Sequence, residues 1–300
     1  MRAFFIASGF DLSKLDSSKY ETKVYTADEA FDGIEIDASE EDIFVEPSED
    51  GRTSIVCTER EKVMFAVSVK NGVLKIAEDD KRAWYDRLSI LSRSLSVTVY
   101  LPSDRFGSVK IDSDTGKVNI PGSFSFDSAD IRASTGDVAC SASADGMLSI
   151  KTSTGDIMLA DAEAGQIELT VSTGSIDAAS VGCGGAFTAH FGTGKARITD
   201  VSCESLVCGG STGDIVLKNT VASDSFDINS GTGDVRFESC DAGRITVKTS
   251  TGSVTGTLQT EKVFIAKASA GKVDVPDTSS GGRCEITTST GNIHIGLADK

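Results

Sequence analysis

The chain has 300 residues with 30 Gly, 4 Pro and 6% aromatic residues, a composition that favours strands and turns over long helices. Its net charge of −16 argues against binding to nucleic acid or to anionic membrane surfaces, and leaves cationic partners and divalent metals open. The seven cysteines form no Cys-x-x-Cys pair, and His190 and His294 lie far apart, so no zinc site and no other cofactor is predicted.

The N-terminal segment, residues 1–30, contains one apolar run, AFFIASGF, from Ala3 to Phe10. This run is too short to span a bilayer and lacks a cleavage pattern, so no complete export signal is predicted. Two interpretations stay open, namely a short strand or apolar plug, and the end of a membrane anchor. The cellular location therefore stays open as well.

Residues 31–107 are predicted to form a cap with irregular first coils. Around Glu41, four apolar residues take the offsets of the later repeats: Ile34, Ile36, Ile43 and Val45. A second such set surrounds Gly72, although Asn71-Gly72 could equally be a hairpin turn: Phe65, Val67, Leu74 and Ile76. Asp79 to Ser92, which carries Trp84, is the best helix candidate, and Leu95 to Leu101 is predicted to be a strand.

Residues 108–298 contain a regular repeat. Its turn glycines recur every 19 or 20 residues, and Thr precedes all of them but one: Gly116, Gly136, Gly155, Gly174, Gly194, Gly213, Gly233, Gly252, Gly271 and Gly291. Apolar residues stand seven and five positions before each Gly and two and four after it, as in Val109, Ile111, Val118 and Ile120. Alternation with period two predicts strands with one buried face. Because every unit has the same orientation, we predict an all-β, single-stranded β-solenoid of about ten stacked parallel coils.

The corner motif resembles that of a known group. Ser134-Thr135-Gly136-Asp137-Val138, Ser153-Thr154-Gly155-Asp156-Ile157 and Ser211-Thr212-Gly213-Asp214-Ile215 are similar to the "putative adhesin" family of bacterial repeat proteins. The resemblance covers residues 31–297. It implies a β-solenoid that is often tethered outside the cell by an N-terminal membrane segment, and it implies no catalytic residues.

The Asp after the turn Gly is the sharpest candidate site. Asp137 and Asp156 are predicted on neighbouring coils, as are Asp214 and Asp234, and stacked carboxylates could bind Ca²⁺ or act as paired acids. The other coils carry Lys, Ser or Asn there, whereas a calcium-binding repeat would keep its ligand. We therefore predict turn residues and no metal site.

The cysteines divide into two groups. Cys140, Cys208 and Cys284 fall on inward columns and are predicted to be buried apolar residues. Cys183 and Cys203 are predicted to stack on adjacent coils, where either a disulfide or two free thiols is compatible with the spacing.

The functional prediction is a non-enzymatic binding or scaffold module at the cell envelope, with an unidentified envelope or protein ligand. No coil exceeds 20 residues between Gly116 and Gly291, so no long loop is available to wall a catalytic cleft. The alternative is a rod that self-assembles end to end. In that case the coil through Ile286 and Ile295, the last in sequence, would offer an open strand edge for weak self-association.

Overall fold

The computed structural model describes residues 20–60, 63–80 and 95–298, and in these residues the regular secondary structure consists of strands without a helix. The predicted β-solenoid is confirmed. The N-terminal strands are β1 (Tyr20–Ala27), β2 (Gly33–Ala38), β3 (Asp42–Pro47), β4 (Thr53–Arg60), β5 (Val63–Lys70), β6 (Val73–Asp80) and β7 (Ser96–Leu101). The following strands are β8 (Arg105–Thr115), β9 (Val118–Ile120), β10 (Ser125–Thr135), β11 (Val138–Cys140), β12 (Ser143–Thr154), β13 (Ile157–Ala160), β14 (Glu163–Cys183), β15 (Ala186–Thr212) and β16 (Ile215–Lys218). The last strands are β17 (Val221–Thr232), β18 (Val235–Thr251), β19 (Val254–Leu258), β20 (Lys262–Ala270), β21 (Val273–Asp274), β22 (Gly282–Thr290) and β23 (Ile293–Leu297).

Successive coils stack in parallel and in register. Val109 pairs with Ala129 and Ile111 with Ile131, and the same pairing continues coil after coil. From Val109 to Val254 every residue of the four predicted columns is buried. The core is therefore a narrow apolar column in which each side chain packs on its equivalents in the neighbouring coils.

Each coil has a third side that the sequence did not reveal. At its start non-glycine residues adopt a left-handed conformation with φ of 47–56°: Asp161, Ser180, Asp200, Asn219 and Ser239. Short parallel pairings such as Val181 with Val201 and Ala222 with Ala242 follow this corner. Phe106 and Phe126 stack on its inner face in the first coils, whereas smaller residues such as Ala144 and Ala164 take the equivalent positions later, so no repeating pattern of large apolar residues is present there.

The last two coils are stacked in reverse order of sequence. β22 pairs with β18 on one side and with β20 on the other, and β23 lies between β19 and β21. The C-terminal coil is thus internal, and the prediction that it carries the open edge is wrong. Its strongly apolar side chains, including Ile286 and Ile293, are covered from both sides, whereas Phe264 and Ala266 of the outer coil are only half-buried and Val273 is 43% exposed.

The opposite end is a cap that continues both walls of the rod. β2 and β3 form the first coil, with Ile34 paired to Val109 and Ile43 to Val118. β6 and β7 lie outside this coil in parallel. β5 then adds antiparallel to β6, β4 adds antiparallel to β7, and β1 adds antiparallel to β4.

The predicted coil around Gly72 is wrong, and the hairpin interpretation is confirmed. Lys70 pairs with Val73 across the turn, and Asn71 and Gly72 have φ of 54° and 75°. Positive φ at both central residues is the geometry of a type I′ hairpin turn. Phe65 and Leu74 therefore lie on facing antiparallel strands.

Some predictions fall outside the described residues. Asp79 and Asp80 end β6, so the predicted helix does not begin there, and its remainder lies outside the described part of the chain, as does the apolar run from Ala3 to Phe10. The predicted strand before residue 101 is confirmed as β7. In the described ranges no helix combines the length and apolarity that crossing a membrane requires.

Candidate functional site

The turn glycines bring the backbones of neighbouring coils into contact at one corner. Gly194 has a φ of 151°, and a Cβ added to it would lie 1.7 Å from the carbonyl oxygen of Gly174. At Gly213 the corresponding distance, to the Gly194 carbonyl oxygen, is 1.5 Å. Only glycine fits such an approach, which explains the regularity of the motif.

The four aspartates of the sequence prediction stand at this corner in two neighbouring pairs. Each carboxylate accepts a hydrogen bond from a main-chain N–H of the next coil. The contacts are Asp156 N to Asp137 Oδ1 at 3.1 Å, Ser175 N to Asp156 Oδ1 at 2.7 Å, Asp234 N to Asp214 Oδ1 at 2.8 Å and Ser253 N to Asp234 Oδ1 at 2.7 Å. Asp42 and Asn292 accept equivalent bonds from the N–H groups of Lys117 and Lys272. The Asp and Asn side chains thus act as acceptors for main-chain N–H groups at the corner, a role that the turn preference of Asp did not predict.

The remaining carboxylate oxygens face solvent, and Asp137 Oδ2 lies 3.4 Å from Lys117 Nζ. Across the described ranges, no group of three or more His, Cys, Asp or Glu side chains is placed to hold a metal ion. The arrangement fits inter-coil hydrogen bonding.

Beside the glycines runs a series of exposed hydroxyl groups, which we name the corner hydroxyl ladder. Its members are Ser134, Thr135, Ser153, Thr154, Ser172, Thr173, Ser211, Thr212, Ser250, Thr251, Ser289 and Thr290. Thr135 pairs in register with Thr154, and Thr154 with Thr173. Parallel stacking spaces equivalent hydroxyls about 4.8 Å apart.

A shallow groove of about 390 Å³ lies along this ladder and includes Ser134 and Ser153 in its lining. Arg132 and Lys151 also line it, and each is held in an ion pair, with Asp130 at 2.7 Å and Glu168 at 2.9 Å respectively. The groove offers hydroxyl donors and acceptors with charges of both signs. Such a lining suits a polar ligand better than an apolar one.

A second groove, of about 810 Å³, lies on the cap. The half-buried rings of Phe44 and Tyr100 line it together with Glu46, Glu49 and Asp50. Asp50 is already engaged, because its Oδ1 accepts hydrogen bonds from Ser48 Oγ and the Arg52 N–H. The half-buried ring of Tyr100 thus contributes to a groove on the surface of the cap.

The cap contains two buried carboxylates, those of Glu59 and Glu41. Glu59 is 2% exposed and accepts hydrogen bonds from Tyr25 Oη and the Phe65 N–H, with Lys23 Nζ 2.7 Å away. Burial alone would raise its pKa, but these donors together hold the pKa below its ordinary value. Burial raises the pKa of Glu41, which is 1% exposed, to about 7, with a contribution from the charge of Glu78.

All seven cysteines are buried free thiols. The inward placement of Cys140, Cys208 and Cys284 is confirmed, and burial raises the pKa of each to about 12. Cys183 and Cys203 lie on the third side as free thiols, and burial, with the nearby Cys183 thiol, raises the pKa of Cys203 to about 12. Their protonated state at neutral pH makes them poor nucleophiles.

Comparison with known proteins places the chain in a family of defined fold. The model of the Toastrack DUF4097 family matches residues 31–192 and 185–300. No curated protein matches the sequence.

Several solved structures share the fold. One described as a "putative adhesin" from Parabacteroides distasonis is 18% identical with a TM-score of 0.57, covering 80% of this chain and 98% of that one. Another "putative adhesin", from Parabacteroides merdae, is 17% identical with a TM-score of 0.56, covering 81% and 98%. A "putative lipid binding protein" from Parabacteroides distasonis is 14% identical with a TM-score of 0.53, covering 80% and 98%. The predicted resemblance to the adhesin-like repeat proteins is confirmed, and identities this low establish the fold alone.

Proposed function

This chain belongs to the Toastrack DUF4097 family, and we propose that it is a non-enzymatic binding or scaffold module of the cell envelope. The observation that carries the proposal is the corner hydroxyl ladder, an exposed and regularly spaced polar surface on a rod with a continuous core. The names given to the structural neighbours, adhesin and lipid binding protein, support a surface-binding role. The ligand is an envelope component or protein rich in hydrogen-bonding groups.

The ladder is suited to recognition because its geometry exists before the ligand arrives. The glycine contacts and the Asp-to-N–H bonds fix the corner from one coil to the next. A ligand that bridges several hydroxyls then loses little free energy in ordering the protein. The adjoining groove adds the ion-paired Arg132 and Lys151 together with Asp112 and Asp114, so charged groups of either sign on a ligand meet an opposite charge there.

The test compares two variants of the same coil. Ser153→Arg/Thr154→Arg places bulky side chains on the ladder, and Met158→Arg places one on another exposed face, since Met158 is 48% exposed. Pull-down from cell-envelope fractions is expected to recover a ligand with wild type and Met158→Arg. With the ladder variant we expect recovery to fall by about tenfold or more, equivalent to a loss of about 1.4 kcal/mol.

Thermal melts must show that both variants remain folded. Equal recovery by all three proteins would exclude the ladder as the binding surface. Failure of the wild type to retain any envelope component would contradict the binding function itself.

A further inference from the structure

The groove on the cap lies where β3 extends beyond its partner strand in the next coil. β3 pairs with β7 from Asp42 to Pro47, whereas β9 pairs with β3 only at Ile43 and Phe44. Beyond Phe44 the outer face of this wall is therefore formed, within the described residues, by strands of the cap. The side chains that point outward there are not constrained by the repeat.

The loop from β3 to β4 closes one end of this groove. It crosses the end of β7, because β7 lies between β3 and β4 in the sheet, and the Ser48 N–H donates a hydrogen bond of 2.8 Å to the Leu101 carbonyl. The Asp50 carboxylate accepts from Ser48 Oγ at 2.8 Å and from the Arg52 N–H at 3.0 Å. These bonds fix the loop, and the loop places Glu49 and Asp50 in the lining of the groove.

Two aromatic rings line the groove although they point away from the core. Phe44 and Tyr100 are half-buried on the outer face of β3 and β7. The positions equivalent to Phe44 in the next two coils hold Asn119 and Ala139, so the wall does not require a ring there. Both rings are open to a ligand on the side that faces the groove.

The register of the strands sets the distance between the two rings. Glu46 lies directly opposite Tyr100, about 4.8 Å away across the parallel pair. Phe44 precedes Glu46 by two residues on the same face, a separation of about 6.6 Å. The strand positions of the two rings are thus about 8 Å apart, so a cation between them can lie within about 6 Å of both ring centres, the range of cation–π attraction. The Glu46 carboxylate is next to both rings.

The charges that line the groove are all negative. Its lining contains Glu46, Glu49 and Asp50, and no lysine or arginine of the described residues belongs to it. Glu46 and Glu49 form no ion pair within the described part of the chain. The side chain of Arg52 lines the neighbouring groove instead. Carboxylates beside aromatic faces attract an organic cation.

We propose that the cap groove binds the guanidinium group of an arginine side chain in a peptide segment of a partner protein. This inference goes beyond the proposed function of the corner hydroxyl ladder and does not depend on it. A guanidinium group is planar and stacks on aromatic faces, and its fork of N–H groups matches a carboxylate such as that of Glu46. The hydroxyl groups of Ser54 and Thr98 in the lining accept further N–H groups. A quaternary ammonium group offers no N–H to these acceptors and is therefore a poorer ligand.

The first experiment varies the ligand and leaves the protein unchanged. The wild type is titrated with an acetylated and amidated pentapeptide that carries one arginine among glycines, at about 150 mM salt to screen long-range attraction to the acidic chain. We expect NMR shift changes at the groove with a Kd of about 1 mM or below.

Two matched peptides test the chemistry of the group. Citrulline in place of arginine keeps the shape without the charge and is expected to weaken binding by about tenfold or more, and trimethyllysine is expected to weaken it severalfold. No binding of the arginine peptide at about 10 mM, or binding of either matched peptide as tight as that of the arginine peptide, would overturn the proposal.

The second experiment varies the groove. Tyr100→Phe keeps an aromatic ring and is expected to bind the arginine peptide as the wild type does, whereas Tyr100→Leu removes the ring at constant charge and is expected to bind it severalfold more weakly. Glu46→Gln is expected to weaken binding by about threefold or more, and Glu204→Gln, at an exposed residue outside the groove, by less than about twofold. Thermal melts show whether each variant is folded. Equal binding by folded Tyr100→Phe and Tyr100→Leu, or an equal loss in the two glutamate variants, would overturn the proposal.

Discussion

Lys262 Nζ lies 2.5 Å from Asp241 Oδ1, and this ion pair joins the outermost coil to the coil two layers beneath it. The two side chains are 4% and 17% exposed, and Thr260 Oγ1 bonds to both of them. Gly282 pairs with Lys262 in the intervening layer, and a Cβ there would lie 1.9 Å from the Gly243 carbonyl oxygen. The absence of a side chain at Gly282 thus leaves room for the two layers and the lysine to meet.

The first prediction concerns this ion pair. Lys262→Met leaves the Asp241 carboxylate buried without its cation, and breaking a buried pair in this way costs about 3 kcal/mol. Because solenoids unfold locally, we expect the loss at the last coils, measured as faster amide hydrogen exchange in β20 and β22.

The control is Lys267→Met, which removes an exposed lysine from the same strand and is expected to leave exchange unchanged. Equal exchange in wild type and Lys262→Met would show that the pair does not hold the outer coil.

The second prediction concerns Glu41. Its pKa of about 7 in the folded chain lies above its ordinary value of 4.5, so the fold binds this proton more tightly than the unfolded chain does. The resulting stabilisation is fully present below pH 4.5 and is lost as the pH rises toward 7. Glu41→Gln, which stays neutral, is expected to raise the unfolding free energy by about 2–3 kcal/mol at pH 8 and by little at pH 4.

Denaturant unfolding at both pH values measures this difference. Glu49→Gln, at an exposed residue of the cap, serves as the matched control. An equal effect of Glu41→Gln at pH 4 and pH 8 would contradict the assignment.

The sequence predicts the walls of the rod well because inward apolar and outward polar side chains alternate in the same way in every coil. A residue such as Ile150 packs against Ile131 below and Leu169 above. A shift of the strand register by one residue would therefore expose a whole column of apolar side chains to solvent. The hairpin at Asn71-Gly72 could be named as an alternative because its turn type demands those two residues.

The order of the last coils is not encoded in the same local way. Gly252, Gly271 and Gly291 have the regular spacing, which suits sequential and reversed stacking equally. The choice depends on contacts distant in sequence, such as Lys262 with Asp241 and Gly282 with Gly243. The third side escaped prediction for a related reason, because small residues such as Ala164 and Ala242 carry little periodic signal.

The candidate site was located but its role was only partly predicted. The spacing placed Asp137 beside Asp156 correctly. That each carboxylate would accept the N–H of the next coil could not be inferred, because this depends on the glycine corner bringing the backbones together.

The third prediction concerns that corner. Gly194→Ala places a Cβ 1.7 Å from the Gly174 carbonyl oxygen and forces an unfavourable φ of 151°, so the coils must separate. We expect a loss of more than about 3 kcal/mol or failure to fold. Gly184→Ala is the control, since its Cβ meets no atom closer than 3.9 Å. Similar melting temperatures for the two variants would show that the corner can relax.

The last prediction decides between hydrogen bonding and metal binding by the corner aspartates. Asp156→Ala removes the acceptor of the Ser175 N–H and is expected to cost about 1 kcal/mol, whereas Asp156→Asn keeps an acceptor oxygen and costs much less. A ligand that binds only the folded state must raise its stability. If the carboxylates only accept hydrogen bonds from main-chain N–H groups, thermal melts of the wild type with Ca²⁺ and with chelator will therefore superimpose. The Asp214→Asn/Asp234→Asn variant then melts close to the wild type in both solutions. An upward shift with Ca²⁺ in the wild type that is absent from this double variant would instead establish the carboxylate pairs as a cation site.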